Sequence, residues 1–281
     1  MSQTPKSADF ITTEKGIRLL SCDLDGTVIF EGFPSAEDSE ALEAWRAAGN
    51  VAVCNSGRSV EAAKFVLNRC GLKFDYYVLY SGAAVFNADW EPLTHTPLPA
   101  DVGYEIADWL MPNPAVTVFA TTLRERDFML SMEGKIPSYT GKVTVDARTR
   151  DYHEIKGEEL MGMPVYVAGD DATVNGVQSE ILARFGERVD AHRNVSFIDI
   201  APKGCDKATG LQWLLEYLQG EESIGPIVAT HSLGDSWNDL PMHEFVRYSC
   251  SFEHSPADIK ESTTHVTPSA AEYIHAVLQG V

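Results

Sequence analysis

Residues 17–27, IRLLSCDLDGT, join an apolar, strand-like run to a turn that carries two carboxylates. The run from Ile17 to Ser21 predicts a buried strand, and Gly26 lets the chain turn after it because glycine tolerates a positive φ. Side chains two apart in an extended chain point the same way, about 7 Å apart. We therefore expect Asp23 and Asp25 to face one site, one as a nucleophile and the other as a general acid and base. An Asx-rich turn with no catalytic role is the plainer alternative.

Strand-like and helical patterns alternate on both sides of the inserted middle of the chain. The strand-like runs after the first are Val51 to Cys54, Tyr77 to Tyr80, Ile227 to Thr230 and Arg247 to Phe252. The helical patterns between and after them cover residues 35–48, 59–70, 207–219 and 270–278. Strands that alternate with helices of this length indicate βαβ units, so the predicted fold class is α/β with a parallel sheet.

The middle of the chain has a different sequence pattern, with more prolines and shorter strand-like runs. This pattern predicts a second α+β unit inserted into the first. Several prolines interrupt it at the start, and short strand-like runs (116–119, 128–130 and 164–167) are followed by a helical pattern over 173–185. An insertion at a surface loop costs little because the entropy of loop closure grows only with the logarithm of its length. The predicted core domain is therefore 1–85 with 197–281, and the predicted inserted domain is 86–196.

Composition narrows the partners and the compartment. The formal net charge of -19 repels nucleic acid and anionic membranes, so neither is an expected partner, and an anionic substrate needs local positive charge at its site. Five scattered cysteines without a CxxC pair predict reduced thiols. The first 16 residues lack the apolar core of a signal peptide and predict a short, poorly ordered lead-in, and no apolar stretch approaches the roughly 20 residues of a membrane span. The expected location is the cytoplasm.

Two weaker sequence motifs, which we expect at the ends of strands, contain groups that bind anions. Ser56-Gly57-Arg58 places a hydroxyl and a glycine amide at a helix entrance, which is a seat for an anion, although Ser-Gly is also a common turn. Arg58 is open to both a structural ion pair and a substrate contact. In residues 203–207, KGCDK, a lysine could stabilise developing negative charge. We favour Lys207 over Lys203 because Lys207 begins the helical pattern, although a lone lysine there is usually solvated surface.

A denser signature is GDSWND at residues 234–239. If a short helix begins here, Asp235 and Asp239 lie four apart on one face. Mg²⁺ prefers oxygen ligands and usually takes one or two carboxylates, which Asp235 and Asp23 could supply. A cluster of helix-capping residues is the alternative interpretation.

Taken in order, DLDGT, SGR, KGCDK and GDSWND resemble the four motifs of haloacid-dehalogenase-like (HAD) phosphatases, in the Cof-like branch with a type IIB cap. The resemblance frames the whole chain and implies a Rossmann-like core with an inserted cap. It implies that Asp23 is the nucleophile, that Asp25 is the general acid and base, and that Lys207 assists them. It implies a Mg²⁺ site formed by Asp23, the Asp25 carbonyl and Asp235. Thr27 and Asp239 would support the residues of this site without binding the metal themselves. It also implies that the following residues bind phosphate: Leu24 and Gly57 through their amides, with Ser56, Lys207 and Asn238.

The expected reaction is Mg²⁺-dependent hydrolysis of a small phosphorylated metabolite, most commonly a sugar phosphate in such relatives, through an aspartyl phosphate. A sugar phosphomutase of similar fold and a non-catalytic regulator that binds a phospho-ligand are the alternatives. Cap residues that could contact substrate include Arg124, Arg126, Lys135 and His192, each of which is also a plausible surface residue. Asn55 and Ser81 depart from the usual family pattern, and oligomeric state is not predicted.

Overall fold

The computed structural model describes residues 16–123, 127–133, 148–221 and 224–280. Its larger sheet has eight strands: β1 (Ile17–Cys22), β2 (Val51–Asn55), β3 (Tyr76–Leu79), β4 (Ala84–Asn87), β5 (Pro92–His95), β12 (Ile227–Leu233), β13 (Tyr248–Phe252) and β14 (His265–Thr267). They lie in the order β14-β13-β12-β1-β2-β3-β4-β5. The six strands from β14 to β3 are parallel, and β4 and β5 continue the sheet in antiparallel pairing. The predicted α/β parallel core is confirmed.

Helices cover both faces of this sheet because neighbouring strand residues point in opposite directions. Leu20 packs with α1 (Ala36–Ala47), α2 (Val60–Cys70) and α8 (Ala270–Gln279), whereas Leu19 packs with α5 (Lys207–Gly220) and α6 (Leu240–Phe245). Two-sided burial explains why the strands are continuous apolar runs in the sequence, since neither face meets water. A short helix, α7 (Ala257–Ser262), connects β13 to β14.

The predicted helix boundaries agree with local capping. The Ser35 side chain accepts a hydrogen bond from the Asp38 amide at the start of α1, and Ser59 does the same for Ala62 in α2. Gly71 ends α2 in the left-handed conformation, as the trailing glycine indicated. Asp206 caps α5 in a reciprocal arrangement with Thr209, which fixes Lys207 as the first residue of that helix.

The inserted unit is a six-stranded sheet with helices α3 (Val102–Leu110) and α4 (Asp171–Phe185). Its strands are β6 (Val116–Ala120), β7 (Phe128–Ser131), β8 (Arg148–Asp151), β9 (Met163–Val167), β10 (Val189–Asn194) and β11 (Phe197–Pro202), in the order β10-β11-β9-β6-β7-β8. Most pairings are antiparallel, and only β7 with β8 is parallel among the described strands. A separate apolar cluster joins this sheet to its two helices.

The strand pairings suggest domain boundaries that differ from those at 85/86 and 196/197. β4 and β5 extend the larger sheet, so the chain through His95 belongs to the core by hydrogen bonding. The β10–β11 hairpin belongs wholly to the smaller sheet, which ends at Pro202. We therefore propose an inserted unit of about residues 96–202. The sequence pattern did not indicate this because β4 and β5 have only four residues each and β10 is mixed in polarity.

Other expectations are met or lie outside the described part. The five cysteines are free, as predicted. The expected lead-in at the N-terminus falls almost entirely outside the described residues. In the described part of the chain, no helix is long and apolar enough to cross a membrane.

Candidate active site

The site forms where β1 and β12 end side by side. Their register pairs Cys22 with Leu233, so the residues that follow each strand emerge at the same carboxyl edge of the sheet. One of these residues is Asp23, whose amide donates to the Leu233 carbonyl at 2.9 Å. Carboxylate oxygens of Asp23, Asp235 and Asp239 all lie within 4.8 Å of one another. Two segments more than 200 residues apart thus converge on one acidic cluster.

A buried ammonium group sits inside this cluster. Lys207 is 1% exposed, and its Nζ donates to Asp23 Oδ1 and Asp239 Oδ1, each at 2.6 Å. Lys203 lies apart, because its Nζ pairs with Asp190 on β10 at 2.7 Å and half of its side chain is exposed. Lys207, which begins helix α5, therefore contacts the predicted nucleophile Asp23, whereas Lys203 does not.

Charge is unbalanced here because three carboxylates surround one ammonium. Burial, which nearby Lys207 only partly offsets, raises the pKa of Asp23 well above its usual range. Burial and the charge of Asp239 likewise raise the pKa of Asp235 to about 7. Burial lowers the pKa of Lys207, but the charges of Asp23 and Asp239 outweigh it and raise that pKa overall. A cation at this position would relieve the repulsion between the carboxylates.

The donor set fits Mg²⁺. Both Asp239 oxygens are engaged within the protein: Oδ1 by Lys207, and Oδ2 by the amides of Asp235 and Ser236 at 3.0 Å each. Asp23 and Asp235 each retain an oxygen that is free of these bonds, and Thr27 Oγ1 donates to Asp235 Oδ1 at 3.2 Å. An all-oxygen set of this kind suits a hard divalent cation. We propose that Asp23 and Asp235 would hold it with the Asp25 carbonyl, and that Asp239 and Thr27 orient them.

The local conformation at GDSWND differs from the one expected. No helix begins at Asp235; a short 3₁₀ turn covers Trp237–Asp239, and α6 begins at Leu240. Asp235 and Asp239 approach each other because the Asp239 carboxylate folds back onto the amides of the loop. The two carboxylates meet as predicted, but through a capped turn and not through helical spacing.

Replacing Gly26 by Ala is expected to weaken Mg²⁺ binding by about 10-fold or more, as outer-shell changes at metal sites commonly do. Gly26 has a φ of 78°, and a Cβ there would lie 2.5 Å from Asp235 Oδ2, so the carboxylate has to move. Mg²⁺ titrations of both thermal stability and turnover measure the effect. The matched control is Gly32→Ala, with a φ of 89° and no atom within 4 Å of the added Cβ. Equal Mg²⁺ affinities in the two variants would contradict the placement of Asp235.

Asp25 is held by an arginine that the sequence left undecided. Arg58 Nε donates to Asp25 Oδ2 at 2.6 Å, and its Nη2 donates to Oδ1 at 2.8 Å. The arginine side chain is 15% exposed and that of Asp25 is 43% exposed. This bidentate pair orients the Asp25 carboxylate in a fixed plane. Arg58 was open to a structural ion pair or a substrate contact, and the structure shows the ion pair with Asp25.

The predicted phosphate-binding residues surround the same edge. The Leu24 carbonyl accepts amide hydrogen bonds from Thr27, Val28 and Ile29, which shapes the turn after Asp23. The Asn238 side chain is 4% exposed, and neither its Oδ1 nor its Nδ2 has a hydrogen-bond partner in the described part of the chain. A buried amide with unused donors and acceptors costs free energy unless a ligand satisfies it. Phosphate contacts by these residues remain predictions.

Ser56 and Gly57 occupy the loop between β2 and α2. The Ser56 hydroxyl accepts only a long bond, 3.3 Å, from the Arg58 amide, so its proton is available to a ligand. A Cβ on Gly57 would collide with Asp199 Oδ2, so a larger residue at this position would displace that carboxylate. We propose both as phosphate contacts.

The sequence did not indicate the contacts that some residues make near the site. Asn55 Nδ2 donates to the Lys207 carbonyl at 2.8 Å and to Ser21 Oγ at 3.1 Å, so this departure from the family pattern positions the buried lysine. Among the proposed cap contacts, His192 lies on β10 with its Nε2 2.8 Å from the Cys205 carbonyl, which is a structural contact. Arg124, Arg126 and Lys135 lie outside the described residues.

The chain matches the sequence model of the haloacid dehalogenase-like hydrolase family over residues 20–280. It therefore belongs to that family, and the resemblance of its four motifs is confirmed. No curated protein sequence matches the chain.

Solved structures share the whole fold. The HAD subclass IIB sugar phosphatase BT4131 is 19% identical, with 93% of this chain and 97% of that one covered and a TM-score of 0.74. A haloacid dehalogenase-like hydrolase from B. subtilis is 16% identical, with 94% and 100% covered and a TM-score of 0.76. A HAD/COF-like hydrolase from Plasmodium vivax is 17% identical, with 95% and 97% covered and a TM-score of 0.76. The Cof-like, subclass IIB architecture of a Rossmann-like core with an inserted α+β cap is thereby confirmed.

Proposed function

We propose that this hydrolase is a Mg²⁺-dependent phosphatase that transfers a phosphoryl group from a small phosphorylated metabolite to Asp23 and then to water. The observation that carries the proposal is the buried Lys207 ammonium, 2.6 Å from Asp23 Oδ1, in a cluster of three carboxylates that fits a divalent cation. A bound divalent cation together with the Lys207 ammonium would balance the three carboxylates, which would allow an anionic group to bind in a protein with a net charge of -19.

Two displacements at phosphorus make up the proposed reaction. In the first, a carboxylate oxygen of Asp23 forms a bond to phosphorus while the bond from phosphorus to the ester oxygen breaks. Asp25 gives a proton to the departing oxygen. In the second, water attacks phosphorus, Asp25 takes a proton from that water, and the bond to Asp23 breaks to release inorganic phosphate. Bound Mg²⁺ would supply positive charge for the phosphoryl oxygens, and Lys207 supplies it from the protein side.

Arg58 gives Asp25 its orientation in this scheme. Each Asp25 oxygen accepts one hydrogen bond from the guanidinium and keeps a second lone pair, so either oxygen can exchange a proton while the ion pair holds the carboxylate in place. Asp25 also lines a cavity of about 320 Å³ between the SGR loop and the inserted unit. We propose that the leaving group occupies this cavity and that the inserted unit acts as a lid that limits access of water.

A sugar phosphate is the proposed substrate class. Its support is the similarity in fold to a sugar phosphatase and a cavity volume suited to a single small leaving group. We propose the cytoplasm as the site of action, where small phosphorylated metabolites are available.

The test is partitioning of a common phosphoenzyme between water and methanol. With Mg²⁺, the protein is expected to release phosphate from p-nitrophenyl phosphate and from sugar phosphates, and EDTA should stop both reactions. If both substrates form the same aspartyl phosphate, added methanol yields the same ratio of methyl phosphate to inorganic phosphate from either one. Product analysis by ³¹P NMR measures this ratio.

Contrary outcomes identify the alternatives. A ratio that depends on the leaving group rules out the common intermediate. Conversion of one sugar phosphate isomer into another identifies a mutase. Mg²⁺-dependent binding of sugar phosphates, without turnover of any ester, identifies a binding protein.

A further inference from the structure

The cavity beside Asp25 has walls of opposite character. The core wall is formed by Asp25, the SGR loop, Ser59 and Ala62. The inserted unit supplies the rest from β6, β9, β11, the end of β10 and the segments beside these strands. At about 320 Å³ the cavity lies at the lower end of the range for small-molecule pockets. What it recognises is therefore one small chemical group, and its lining indicates which kind. This inference rests on the proposed function, because it assigns the cavity to the leaving group.

One wall holds a carboxylate with an unused acceptor. Asp127, which directly precedes β7, is 5% exposed and lines the cavity. Its Oδ2 accepts a hydrogen bond from Ser59 Oγ at 2.6 Å, whereas its Oδ1 has no partner among the described residues. A buried acceptor left unpaired costs about 1–3 kcal/mol. A donor on a bound leaving group would supply the missing hydrogen bond.

A second carboxylate reaches the cavity from a different strand. Asp199 lies on β11, is 9% exposed and lines the cavity, and its Oδ2 occupies the space that a Cβ on Gly57 would need. Asp127 and Asp199 thus approach the same core loop, Gly57 to Ser59, from two strands of the inserted unit. Burial raises the pKa of each to about 6, which shows that both carboxylates are poorly solvated.

The remaining wall is largely apolar, with Thr121 and Asn194 as its polar members, and the cavity has no uncommitted cation among the described lining residues. Phe119 on β6 and Phe197 on β11 have ring centroids 6.4 Å apart, and both line the cavity. Arg58 is the cation of the described lining, and Asp25 already engages it through two hydrogen bonds. Among the described residues, neither carboxylate has a salt bridge, although the charge of Arg58 acts on Asp127 and those of His192 and Lys207 act on Asp199. A leaving group here therefore meets two carboxylates and a largely apolar surface.

We propose that Asp127 and Asp199 determine substrate specificity by accepting hydrogen bonds from the leaving group and repelling any leaving group with a second anionic charge. The preferred substrate is a phosphate monoester whose leaving group carries hydroxyl or amino donors on one edge and an apolar face on the other. The donors bond to the two carboxylates, and the apolar face lies against Phe119 and Phe197. Phosphate esters that also carry a carboxylate or a second phosphate are excluded, because like charges placed together at such a site are strongly unfavourable.

The test compares neutral sugar phosphates with their carboxylated counterparts. Sorbitol 6-phosphate and 6-phosphogluconate are both open-chain and differ by a carboxylate in place of one hydroxymethyl group, and ribitol 5-phosphate with 5-phosphoribonate forms a second pair. We expect kcat/KM to be about 100-fold or more higher for the neutral member of each pair. Glucosamine 6-phosphate should be hydrolysed at least as well as glucose 6-phosphate, because its ammonium group meets two carboxylates.

Two isosteric variants locate the effect. Asp127→Asn and Asp199→Asn should each reduce the ratio of the two kcat/KM values within a pair by about 10-fold. The main change should be a lower KM for the carboxylated member, because each variant removes one repulsive charge. The control Glu180→Gln removes an exposed carboxylate from α4 of the same unit and should leave every ratio unchanged.

The outcomes separate this inference from the proposed function. Hydrolysis of p-nitrophenyl phosphate, with neutral sugar phosphates hydrolysed no faster than carboxylated ones, overturns the inference and leaves the phosphatase intact. Discrimination that persists unchanged in both folded variants also overturns it, since other residues then cause the selectivity. A protein that hydrolyses none of these esters overturns the proposed function and the inference together.

Discussion

Asp23→Asn is expected to lower kcat by about 10⁴-fold or more and, at the same time, to raise the melting temperature of the metal-free protein. The activity falls because the amide is not a nucleophile. Stability rises because burial and three neighbouring carboxylates penalise the ionised form of Asp23, whose pKa is raised well above its usual range. Asparagine keeps the shape of the side chain without the charge. Residual turnover and thermal unfolding, both with and without Mg²⁺, measure the two effects.

The pH dependence of the stability gain has a definite sign. A carboxyl whose folded pKa is raised binds more protons in the folded state, so its ionisation destabilises the fold as pH rises above the unfolded value of about 3.9. The gain from Asp23→Asn should therefore be greatest above the folded pKa and should disappear as pH falls towards 3.9. Mg²⁺ should stabilise the wild-type protein more than the variant, because the variant lacks one charged ligand.

Asp25→Asn is the matched control. It should also abolish turnover, but it should lower stability, because Asp25 is paired with Arg58 through two hydrogen bonds. Substantial turnover in Asp23→Asn would move the nucleophile elsewhere. If the melting temperature of the metal-free protein falls in Asp23→Asn, the claim that burial and neighbouring carboxylates destabilise ionised Asp23 is contradicted.

Lys207→Met should cost about 3–5 kcal/mol in the free energy of unfolding and eliminate turnover, because removal of one member of a buried ionic group leaves uncompensated charge. The ammonium is 1% exposed and is bonded to Asp23 and Asp239, and Asp235 lies in the same cluster. Urea unfolding of the metal-free protein measures the loss. Lys207→Arg should fail to restore activity, since a planar guanidinium does not fit the space of a compact ammonium.

Lys203→Met provides the comparison within the same segment. Lys203 makes an exposed pair with Asp190, so its removal should cost less than about 1 kcal/mol. If Lys207→Met is too unstable to purify, adding Asp23→Asn should recover part of the loss by removing one of the unpaired carboxylates. Equal losses for Lys207→Met and Lys203→Met, or no recovery in the double variant, would contradict a charge-balancing role.

Much of the core fold could be predicted because its strands are buried on both faces. The runs Ile17–Cys22 and Ile227–Leu233 are mostly apolar, and helices of the core carry local capping signals such as Ser35 and Ser59. Strand β4 and the edge strand β5 were missed because they are short and Pro92 begins β5. Their place in the larger sheet follows from the pairing of β4 with β3 and of β5 with β4, which no local pattern specifies.

Part of the candidate site could also be predicted, because strand ends carry its residues. Asp23 and Asp235 follow neighbouring parallel strands, and the ends of such strands meet at one edge whatever the rest of the chain does. Helical spacing was the wrong reason for the approach of Asp235 and Asp239, which a capped turn produces. The choice of Lys207 over Lys203 rested on a helix start, and the helix does begin there.

The sequence by itself determined the α/β core, the order of four polar motifs along it and membership of a hydrolase family. Only the tertiary structure decided that Arg58 grips Asp25, that Asn55 holds the Lys207 backbone, and that Asp127 and Asp199 meet the SGR loop. Periodicity and capping are local properties, so they can be derived from neighbouring residues. Contacts between the inserted unit and the sheet edge join residues far apart in the chain, and they depend on how two separately folded surfaces pack. The DLDGT turn thus identifies a nucleophile, whereas the chemistry of the cavity beside it arises from that packing.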